Sequence, residues 1–512
     1  LASCMDRRPA SVCPVPTELK KDVFQTGDFD GVDLLVMVDN SGSMGEEQQI
    51  LATGFFTLIN SLANPVSTWR YEAVDSMRLA VVSSNMGLSF GEGVEVSDDA
   101  PSIGKCEDPR GDDGAFMAYP SIDSVPVFEG VITCDADGAQ CPNGWSCGDV
   151  GDGGVGVCSS TSGDTAVACP SFAQSWVESD DSDPNPAFNI QAACLAQQGT
   201  EGCGFEQQLQ SVAVALDRDD QKAFLVKTHL LAVLVVTDEE DCSIEDEGLF
   251  GVEEMGSIDG AQAANIACGE NPDYLMTLDY FHDVFTGAKQ NENAVIFAAI
   301  IGVPPGEGDE LGPCQGSGDE IDDCLDDDHM QLDPIILDDT EGKRWAYTPA
   351  CERYEEGIAK AITSAVPGRR YVELATDHFG ANSYVYSICN PDWSPAMESV
   401  AGLIAAQIGG TCYDRPLDWN AVDKVAKCNV VAEFMNSDEC PWELSDGAEA
   451  QVVTTTNDDG DEVKSISCAR SRAMSASSMG RTKRGRRLRV SEVRCARPAA
   501  WACASTSPST KR

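Results

Sequence analysis

Residues 32–43 read Val-Asp-Leu-Leu-Val-Met-Val-Asp-Asn-Ser-Gly-Ser, an apolar run that ends abruptly in a polar loop. An almost unbroken apolar run of this length predicts a strand buried on both faces, as in a parallel sheet. Over residues 46–62 the apolar side chains recur at helical spacing, which predicts an amphipathic helix directly after the loop. A buried strand, a polar loop and a helix in this order indicate an α/β fold.

The alternation of strands and helices continues along the chain. Further strands are predicted at residues 77–84, 230–237, 294–303 and 371–374, and further helices at 205–216, 273–289 and 395–408. The pattern predicts a doubly wound, mostly parallel α/β sheet, in which ligands bind beyond the carboxyl ends of the strands. Asp39 and Asp238 both fall at such ends.

Composition divides the chain into four predicted parts. These are a tether over residues 1–31, an α/β domain over 32–410, a Cys-rich appendage over 411–468 and a basic tail over 469–512. Gly-rich acidic insertions near 86–200 and 304–350 interrupt the domain and are expected to decorate the rim of the sheet. Disulfides are expected to staple a loop of the first insertion that contains Cys134, Cys141, Cys147 and Cys158.

The basic tail differs sharply from the rest of the chain. Residues 469–512 contain 12 Lys or Arg and one acid, Glu492, a local charge of +11, although the whole chain carries -51. Two explanations are open, a disordered polybasic segment and a frameshifted reading of GC-rich DNA. The absence of a strand or helix pattern favours the second, and in either case we expect the tail to be dispensable.

Charge and cysteine content restrict the class of protein. A net charge of -51 and a pI near 4.1 argue against nucleic acid as a partner, because a dense negative field repels it. The 22 cysteines and four histidines lack the paired spacing of zinc sites and are typical of an exported, disulfide-bonded protein. An oxidising, extracytoplasmic compartment is therefore expected.

The first four residues, Leu1-Ala2-Ser3-Cys4, resemble a bacterial lipobox. In that case Cys4 is lipidated, and the protein is an outer-membrane or cell-surface lipoprotein that contacts the membrane only through its lipid anchor. The alternative is a disulfide between Cys4 and Cys13. No apolar run reaches the roughly 18 residues that a membrane-spanning helix needs.

One motif in this sequence has the chemistry of a metal site. Asp39-x-Ser41-x-Ser43 follows a buried strand and precedes a helix, and Asp238 follows a second buried strand. Short oxygen-bearing side chains on a tight turn suit Mg²⁺, which prefers hard oxygen ligands in near-octahedral geometry. Over roughly residues 32–408 the chain resembles the von Willebrand factor A-type domains and their metal-ion-dependent adhesion site. The resemblance implies a bound Mg²⁺, or else Mn²⁺ or Ca²⁺, with one position left for an acidic residue of a protein partner.

The loop before the predicted helix at 205–216 departs from the family's pattern. The family has a Thr ligand on this loop, and the alignment places Cys203 at that position. Thr200 and Glu206 are nearby candidates for the missing oxygen ligand. A disulfide, with Cys194 as the suggested partner, would prevent Cys203 from binding a hard cation.

Two acidic runs are expected to be solvated rather than to bind metal. The first consists of Glu239 and Glu240, beside Asp238, and the second is the cluster over residues 322–328 around Cys324.

The predicted function is metal-dependent binding or adhesion at the bacterial cell surface. A hydrolase would need Ser41 or Ser43 as its nucleophile, but neither lies in a Gly-x-Ser-x-Gly turn, and no P-loop is present. No catalytic residue is therefore predicted. The remaining alternative is an envelope scaffold in which the metal is purely structural, and chelation of a bound complex separates the two hypotheses.

Overall fold

The structure is a computed structural model. It describes residues 29–63, 73–88, 106, 110–126, 133–135, 145–147, 155–160, 166–170, 172, 174–180, 185, 187–252, 260–289, 294–306, 311–339, 342–354, 361–409, 419–420, 425–435, 451–456, 462–475 and 489–495. Chain contacts divide it into two units, residues 29–410 and residues 1–28 with 411–512.

The strands follow one another in chain order. They are β1 (Gly31–Val38), β2 (Ser76–Ser83), β3 (Ser124–Pro126), β4 (Thr133–Asp135), β5 (Trp145–Cys147), β6 (Val155–Ser160), β7 (Ala166–Ala168), β8 (Val177–Asp180), β9 (His229–Val236), β10 (Val295–Ile301), β11 (Pro334–Asp339), β12 (Gly342–Tyr347), β13 (Cys351–Arg353), β14 (Thr363–Ala365), β15 (Ser383–Ser387), β16 (Trp419–Asn420), β17 (Val425–Met435), β18 (Gln451–Thr456), β19 (Glu462–Ser475) and β20 (Arg489–Cys495).

The helices alternate with the long strands of the first unit. They are α1 (Gly45–Ala63), α2 (Phe188–Leu195), α3 (Gln208–Asp217), α4 (Gly260–Glu270), α5 (Leu278–Gly287), α6 (Arg369–Glu373) and α7 (Ser394–Gly409). A π-helical turn, Leu374–Phe379, continues α6. Short 3₁₀ turns lie at Lys222–Phe224, Glu247–Gly251, Pro272–Tyr274, Gly318–Glu320, Cys324–Asp326, Asp328–Met330 and Gly380–Asn382.

A six-stranded sheet with the order β15-β10-β9-β1-β2-β8 forms the centre of the first unit. Its first five strands are parallel, and β8 pairs antiparallel to β2 at one edge. The mixed α/β class and the mostly parallel sheet expected from the sequence are therefore confirmed. Because β1 lies between β9 and β2, the loop that follows it opens at the middle of the sheet.

Successive residues of β1 face opposite sides of the sheet, as the two-residue period of a strand requires. Leu34 and Val36 pack in one core with residues of α1, α2 and α7. Leu35 and Met37 pack in a second core with residues of α3, α5 and α6. Helices therefore cover both faces, and full burial of each such side chain contributes about 1.5–3 kcal/mol.

The segment at residues 371–374, predicted as a closing strand, is helical. The carboxylate of Glu240 accepts the backbone N–H groups of Arg369 and Arg370, which satisfies the amino end of α6. The apolar side chains that favoured a strand are instead buried on the inner side of this helical segment. The strand at the edge opposite β8 is β15, which begins twelve residues further along the chain at Ser383.

Two other predicted helices have different limits. The helix expected at 205–216 begins only at Gln208, because Gln207 N–H bonds to the carbonyl of Ser84 and Glu206 pairs with Asn85. The helix expected at 273–289 is divided into the 3₁₀ turn Pro272–Tyr274 and α5. The side chain of Thr277 caps α5 by accepting the N–H of Tyr280.

The first insertion does more than decorate the rim. It supplies β8, which extends the central sheet, and α2, whose buried side chains join the same core as α1. The strands β4, β5 and β6 of this insertion form a small sheet. The side chains of the four cysteines predicted to staple it lie outside the described residues.

Five disulfides lie within the described part of the first unit. They join Cys106 to Cys203, Cys169 to Cys194, Cys242 to Cys268, Cys314 to Cys324 and Cys351 to Cys389. Cys203 is thus bridged, but the suggested pairing with Cys194 is wrong. Disulfides of this number are typical of proteins that fold outside the cytoplasm.

The second unit contains an antiparallel sheet of β16 to β20. β19 continues past Cys468 and β20 lies wholly beyond it, in the segment for which the sequence shows no strand pattern. The proposed boundaries at 411, 468 and 469 and the dispensability of the tail stay predictions. Cys4 and Cys13 lie outside the described residues. Among the described helices, none has the length and apolar character that crossing a membrane requires.

Candidate metal centre

Three loops meet beyond the carboxyl ends of β9 and β1. Asp39 follows β1 directly, and its N–H bonds to the carbonyl of Val236 in β9. The loop before α3 joins them, because Gly202 N–H donates to the carbonyl of Asn40 at 2.8 Å. Asp238 follows β9. The two aspartates that the sequence places on separate loops therefore belong to one site.

Asp39 is fully buried and accepts hydrogen bonds on both carboxylate oxygens. Its Oδ1 accepts the N–H of Ser41 at 2.8 Å and the hydroxyl of Ser84 at 3.0 Å. Its Oδ2 accepts the hydroxyl of Thr237 at 2.5 Å. The residues that follow β2 and β9 therefore enclose this carboxylate.

Ser41, Ser43 and Asp238 form a chain of polar contacts beside Asp39. The two serine hydroxyl oxygens lie 3.2 Å apart, and the hydroxyl of Ser43 donates to Asp238 Oδ1 at 3.1 Å. A hydroxyl that donates its hydrogen to a carboxylate keeps oxygen lone pairs for a cation. The described geometry thus brings together all four residues of the predicted ligand set.

The electrostatics of the site are unfavourable without a counter-charge. Burial and then the neighbouring carboxylates of Glu239 and Asp39 raise the pKa of Asp238 well above its ordinary value. Burial and the charge of Asp39 raise the pKa of Glu239 to about 8. None of the ion pairs in the described part of the chain includes Asp39 or Asp238.

Of the two further candidate ligands, Glu206 lies deeper than Thr200. Glu206 is 3 % exposed, and its Oε2 has no hydrogen-bond partner among the described residues. Burial and then the charges of Asp39, Glu239 and Asp238 raise its pKa well above the ordinary value. Thr200 is half-buried, and its methyl group lies near the backbone of Gly45.

Close packing fixes the loops around the site. A Cβ on Gly202 would lie 2.1 Å from Asn40 Oδ1 and 2.7 Å from the Asn40 carbonyl oxygen, so only glycine allows this approach. The side-chain amide of Gln48 on α1 donates to the carbonyls of Asp39 and Gly199. The first loop is thus tied to the loop before α3 on two sides.

Two disulfides stabilise the same loops. The Cys106–Cys203 and Cys242–Cys268 bridges lie in a small apolar cluster with Phe205 and Ile244. This cluster holds the backbone on either side of Glu206, whose carbonyl accepts the N–H of Cys242.

The acidic run after β9 is divided in its roles. Glu240, expected to be solvated, is 4 % exposed and accepts N–H groups at the amino end of α6, so that expectation is wrong. Asp241 accepts the N–H of Leu209 in α3 and pairs with Arg370 at 3.0 Å. Glu240 and Asp241 therefore stabilise helix ends, whereas Asp238 faces the candidate site.

The acidic cluster at 322–328 differs from this run. Its side chains are mostly exposed, and Cys324 within it is bridged to Cys314. The expectation of a solvated loop agrees with this exposure.

A further buried carboxylate, which sequence reasoning missed, lies near the start of β1. Asp33 is fully buried, and its Oδ1 lies 2.8 Å from His229 Nδ1. Its Oδ2 accepts the ammonium of Lys289 at 2.6 Å and the N–H of Val226 at 2.7 Å. The acid within an otherwise apolar strand was the available signal, because a buried carboxylate needs a partner.

The donor set fits a hard divalent cation. Carboxylate and hydroxyl oxygens surround the site, and a buried carboxylate oxygen of Glu206 lacks a partner among the described residues. Within the described ranges no group of three or more His, Cys, Asp or Glu side chains is placed so that it could hold a metal ion. The hydroxyls of Ser41 and Ser43 would therefore have to supply part of the coordination.

Comparison with known proteins gives little further information. No family model and no curated protein matches the chain. Among solved structures, the chain is similar to the pilus adhesin RrgA from Streptococcus pneumoniae, with 8 % identity and a TM-score of 0.19 over 86 % of this chain. The match spans 55 % of the adhesin's length. A TM-score of this size does not indicate a shared fold.

Proposed function

We propose that the chain is an extracytoplasmic binding protein of the von Willebrand factor A type, whose partner binds through a divalent cation. Asp39, Ser41, Ser43 and Asp238 would hold the cation at the carboxyl ends of β1 and β9. The location agrees with the general behaviour of parallel α/β sheets, which bind ligands at this edge.

The crowding of buried carboxylates carries the proposal. Removing carboxylates from water is costly unless a positive charge or a full set of hydrogen bonds compensates. Asp39 and Asp238 have hydroxyl and N–H donors but no basic partner among the described ion pairs, and each raises the pKa of Glu206. A divalent cation would relieve this repulsion, which is the chemistry that it supplies here.

The partner would be a protein that offers an exposed acidic residue. When a cation with hard-ligand preference is held by short side chains on one side, a carboxylate from outside can complete its shell. Binding would then depend on the cation. We propose no catalytic role for the two serines, because neither lies in a Gly-x-Ser-x-Gly turn and the base that Ser43 contacts, Asp238, belongs to the proposed ligand set.

The five disulfides support an extracytoplasmic location. We further propose anchoring to the outer membrane or cell surface through a lipid on Cys4, with no other membrane contact and no nucleic-acid partner. A Cys4→Ser variant of the precursor should move from the membrane fraction to the soluble fraction, whereas an unchanged distribution contradicts the anchor.

The function is tested by affinity capture from native envelope, using the protein and its Asp39→Ala variant as matched baits. Partners should be retained by the parent in Mg²⁺ or Ca²⁺ and lost after addition of chelator, and the variant should retain none of them. Partners that survive chelation and bind both baits equally would support the scaffold alternative and contradict the proposal.

A further inference from the structure

Thr237, the residue between β9 and Asp238, is fully buried, and its hydroxyl bonds directly to Asp39. Its backbone N–H donates to the carbonyl of Ile300 in β10, so the sheet fixes its main chain. Its side chain is β-branched and therefore restricted in rotation about χ1. Thr237 thus presents its hydroxyl to Asp39 from a fixed position.

The hydrogen-bond partners of this hydroxyl determine where its hydrogen points. The side-chain amide of Gln208 and the backbone N–H of Glu239 each donate to Thr237 Oγ1 at 3.1 Å. A hydroxyl has one hydrogen and two lone pairs, and these two donors occupy both lone pairs. The hydrogen is left for Asp39 Oδ2, 2.5 Å away. In this network the hydroxyl of Thr237 can therefore only donate to Asp39.

The two oxygens of the Asp39 carboxylate differ in how many of their acceptor positions are filled. Oδ1 accepts the N–H of Ser41 and the hydroxyl of Ser84. Among the described residues Oδ2 accepts only the hydroxyl of Thr237. Because each carboxylate oxygen has about two lone-pair positions, Oδ2 keeps one unfilled. The acceptor position that is left for a cation is thus on the oxygen that Thr237 holds.

We propose that Thr237 is a positioning residue of the cation site, whose hydroxyl fixes the orientation of the Asp39 carboxylate toward the bound cation. Gln208, the first residue of α3, assists by filling one lone pair of that hydroxyl. Neither residue belongs to the ligand set that the resemblance implies. This inference rests on the proposed function, since it assumes a cation at Asp39.

The orientation of Asp39 affects affinity because a cation binds more tightly to ligands that are already in place. Thr237→Val keeps the size and the β-branch of the side chain but removes the hydroxyl, so Asp39 Oδ2 loses its described donor. Loss of a group that orients a metal ligand costs about 10–100-fold in metal affinity, and we expect a decrease of this size. Thr237→Ser keeps a hydroxyl at the same position and should restore most of the affinity.

Calorimetric titrations of the intact chain with MgCl₂ and with CaCl₂ test this inference. Gln208→Met frees one lone pair of the Thr237 hydroxyl without removing the bond to Asp39, so it should weaken binding less than Thr237→Val does. Thr286→Val is the matched control, because it removes a buried hydroxyl that bonds to the carbonyl of His282 within α5. This control should leave the cation affinity unchanged.

The outcomes separate this inference from the proposed function. Binding of neither ion by the parent would overturn both. If the parent binds a cation, three results would overturn the role of Thr237 alone: unchanged affinity in Thr237→Val, equal losses in Thr237→Ser and Thr237→Val, or an equal loss in Thr286→Val. Circular dichroism checks each fold. Should Thr237→Val fail to fold, Gln208→Met decides, and its unchanged affinity would overturn the inference.

Discussion

The two ends of strand β1 each carry a fully buried aspartate, and the two are neutralised differently. Near the start of the strand, Asp33 contacts the ammonium of Lys289 at 2.6 Å and the ring of His229 at 2.8 Å. Directly after the strand, Asp39 is surrounded by hydroxyls and by other carboxylates. Equal burial thus has two electrostatic solutions: the chain supplies the positive charge at one end, and at the other we infer that a cation from solution supplies it.

The largest expected change in stability is near the start of β1, where Asp33 is paired with Lys289. Lys289→Met leaves the carboxylate of Asp33 buried with only His229 and one N–H, and loss of one partner of a buried ion pair costs about 3–5 kcal/mol. Urea denaturation should show this loss in the free energy of unfolding, with no change in cation affinity. Lys227→Met, at an exposed lysine, is the control and should be close to neutral. A loss for Lys289→Met no larger than the control's would show that Asp33 needs no built-in counter-charge.

The next largest effect tests the geometry of the loops around Asp39, at the other end of β1. Gly202→Ala places a methyl group 2.1 Å from Asn40 Oδ1, so the first loop must shift; such overpacking costs about 1–3 kcal/mol. Cation affinity should fall by about tenfold, as it does when groups that orient ligands are lost. Gly42→Ala is the matched control within the motif, because its added Cβ meets nothing within 4 Å. Equal affinities of the two variants would mean that the Asn40–Gly202 contact does not position the site.

The smallest effect is expected for Asp238, and its sign is opposite to that of the change at Asp33. In chelator, Asp238→Asn removes one of the crowded carboxylates yet keeps an oxygen for the hydroxyl of Ser43, so the free energy of unfolding should rise by about 1 kcal/mol. Asp33→Asn should lower it, because the charge of Lys289 loses its partner. Thermal and urea unfolding of both variants, without cations, measure the difference. A decrease in stability for Asp238→Asn in chelator would argue against electrostatic strain at this end.

The sequence predicted the parts of this comparison that depend on neighbouring residues. The apolar run before Asp39 and the helical spacing after Ser43 are local patterns, and both the strand and the helix are confirmed. The meeting of Asp39 and Asp238 also followed, because parallel strands end at the same edge of a sheet.

Features that depend on distant contacts were missed. Lys289 lies 256 residues from Asp33, and no local pattern links them. Glu240 resembled a solvated charge, because its role at the amino end of α6 depends on residues 129 and 130 positions away. The same holds for the disulfide partner of Cys203, since cysteine spacing alone does not fix connectivity.

The central claim is that a divalent cation binds at the Asp39 end of β1. Calorimetric titration of the parent and of the Asp39→Ala, Asp238→Ala, Ser41→Ala and Ser43→Ala variants with Mg²⁺, Mn²⁺ and Ca²⁺ tests it directly. The account predicts one site in the parent, loss of binding in both aspartate variants, and weaker but measurable binding in both serine variants, because each of these removes only a neutral ligand. Unchanged affinity in Asp39→Ala, with circular dichroism showing an intact fold, would contradict it.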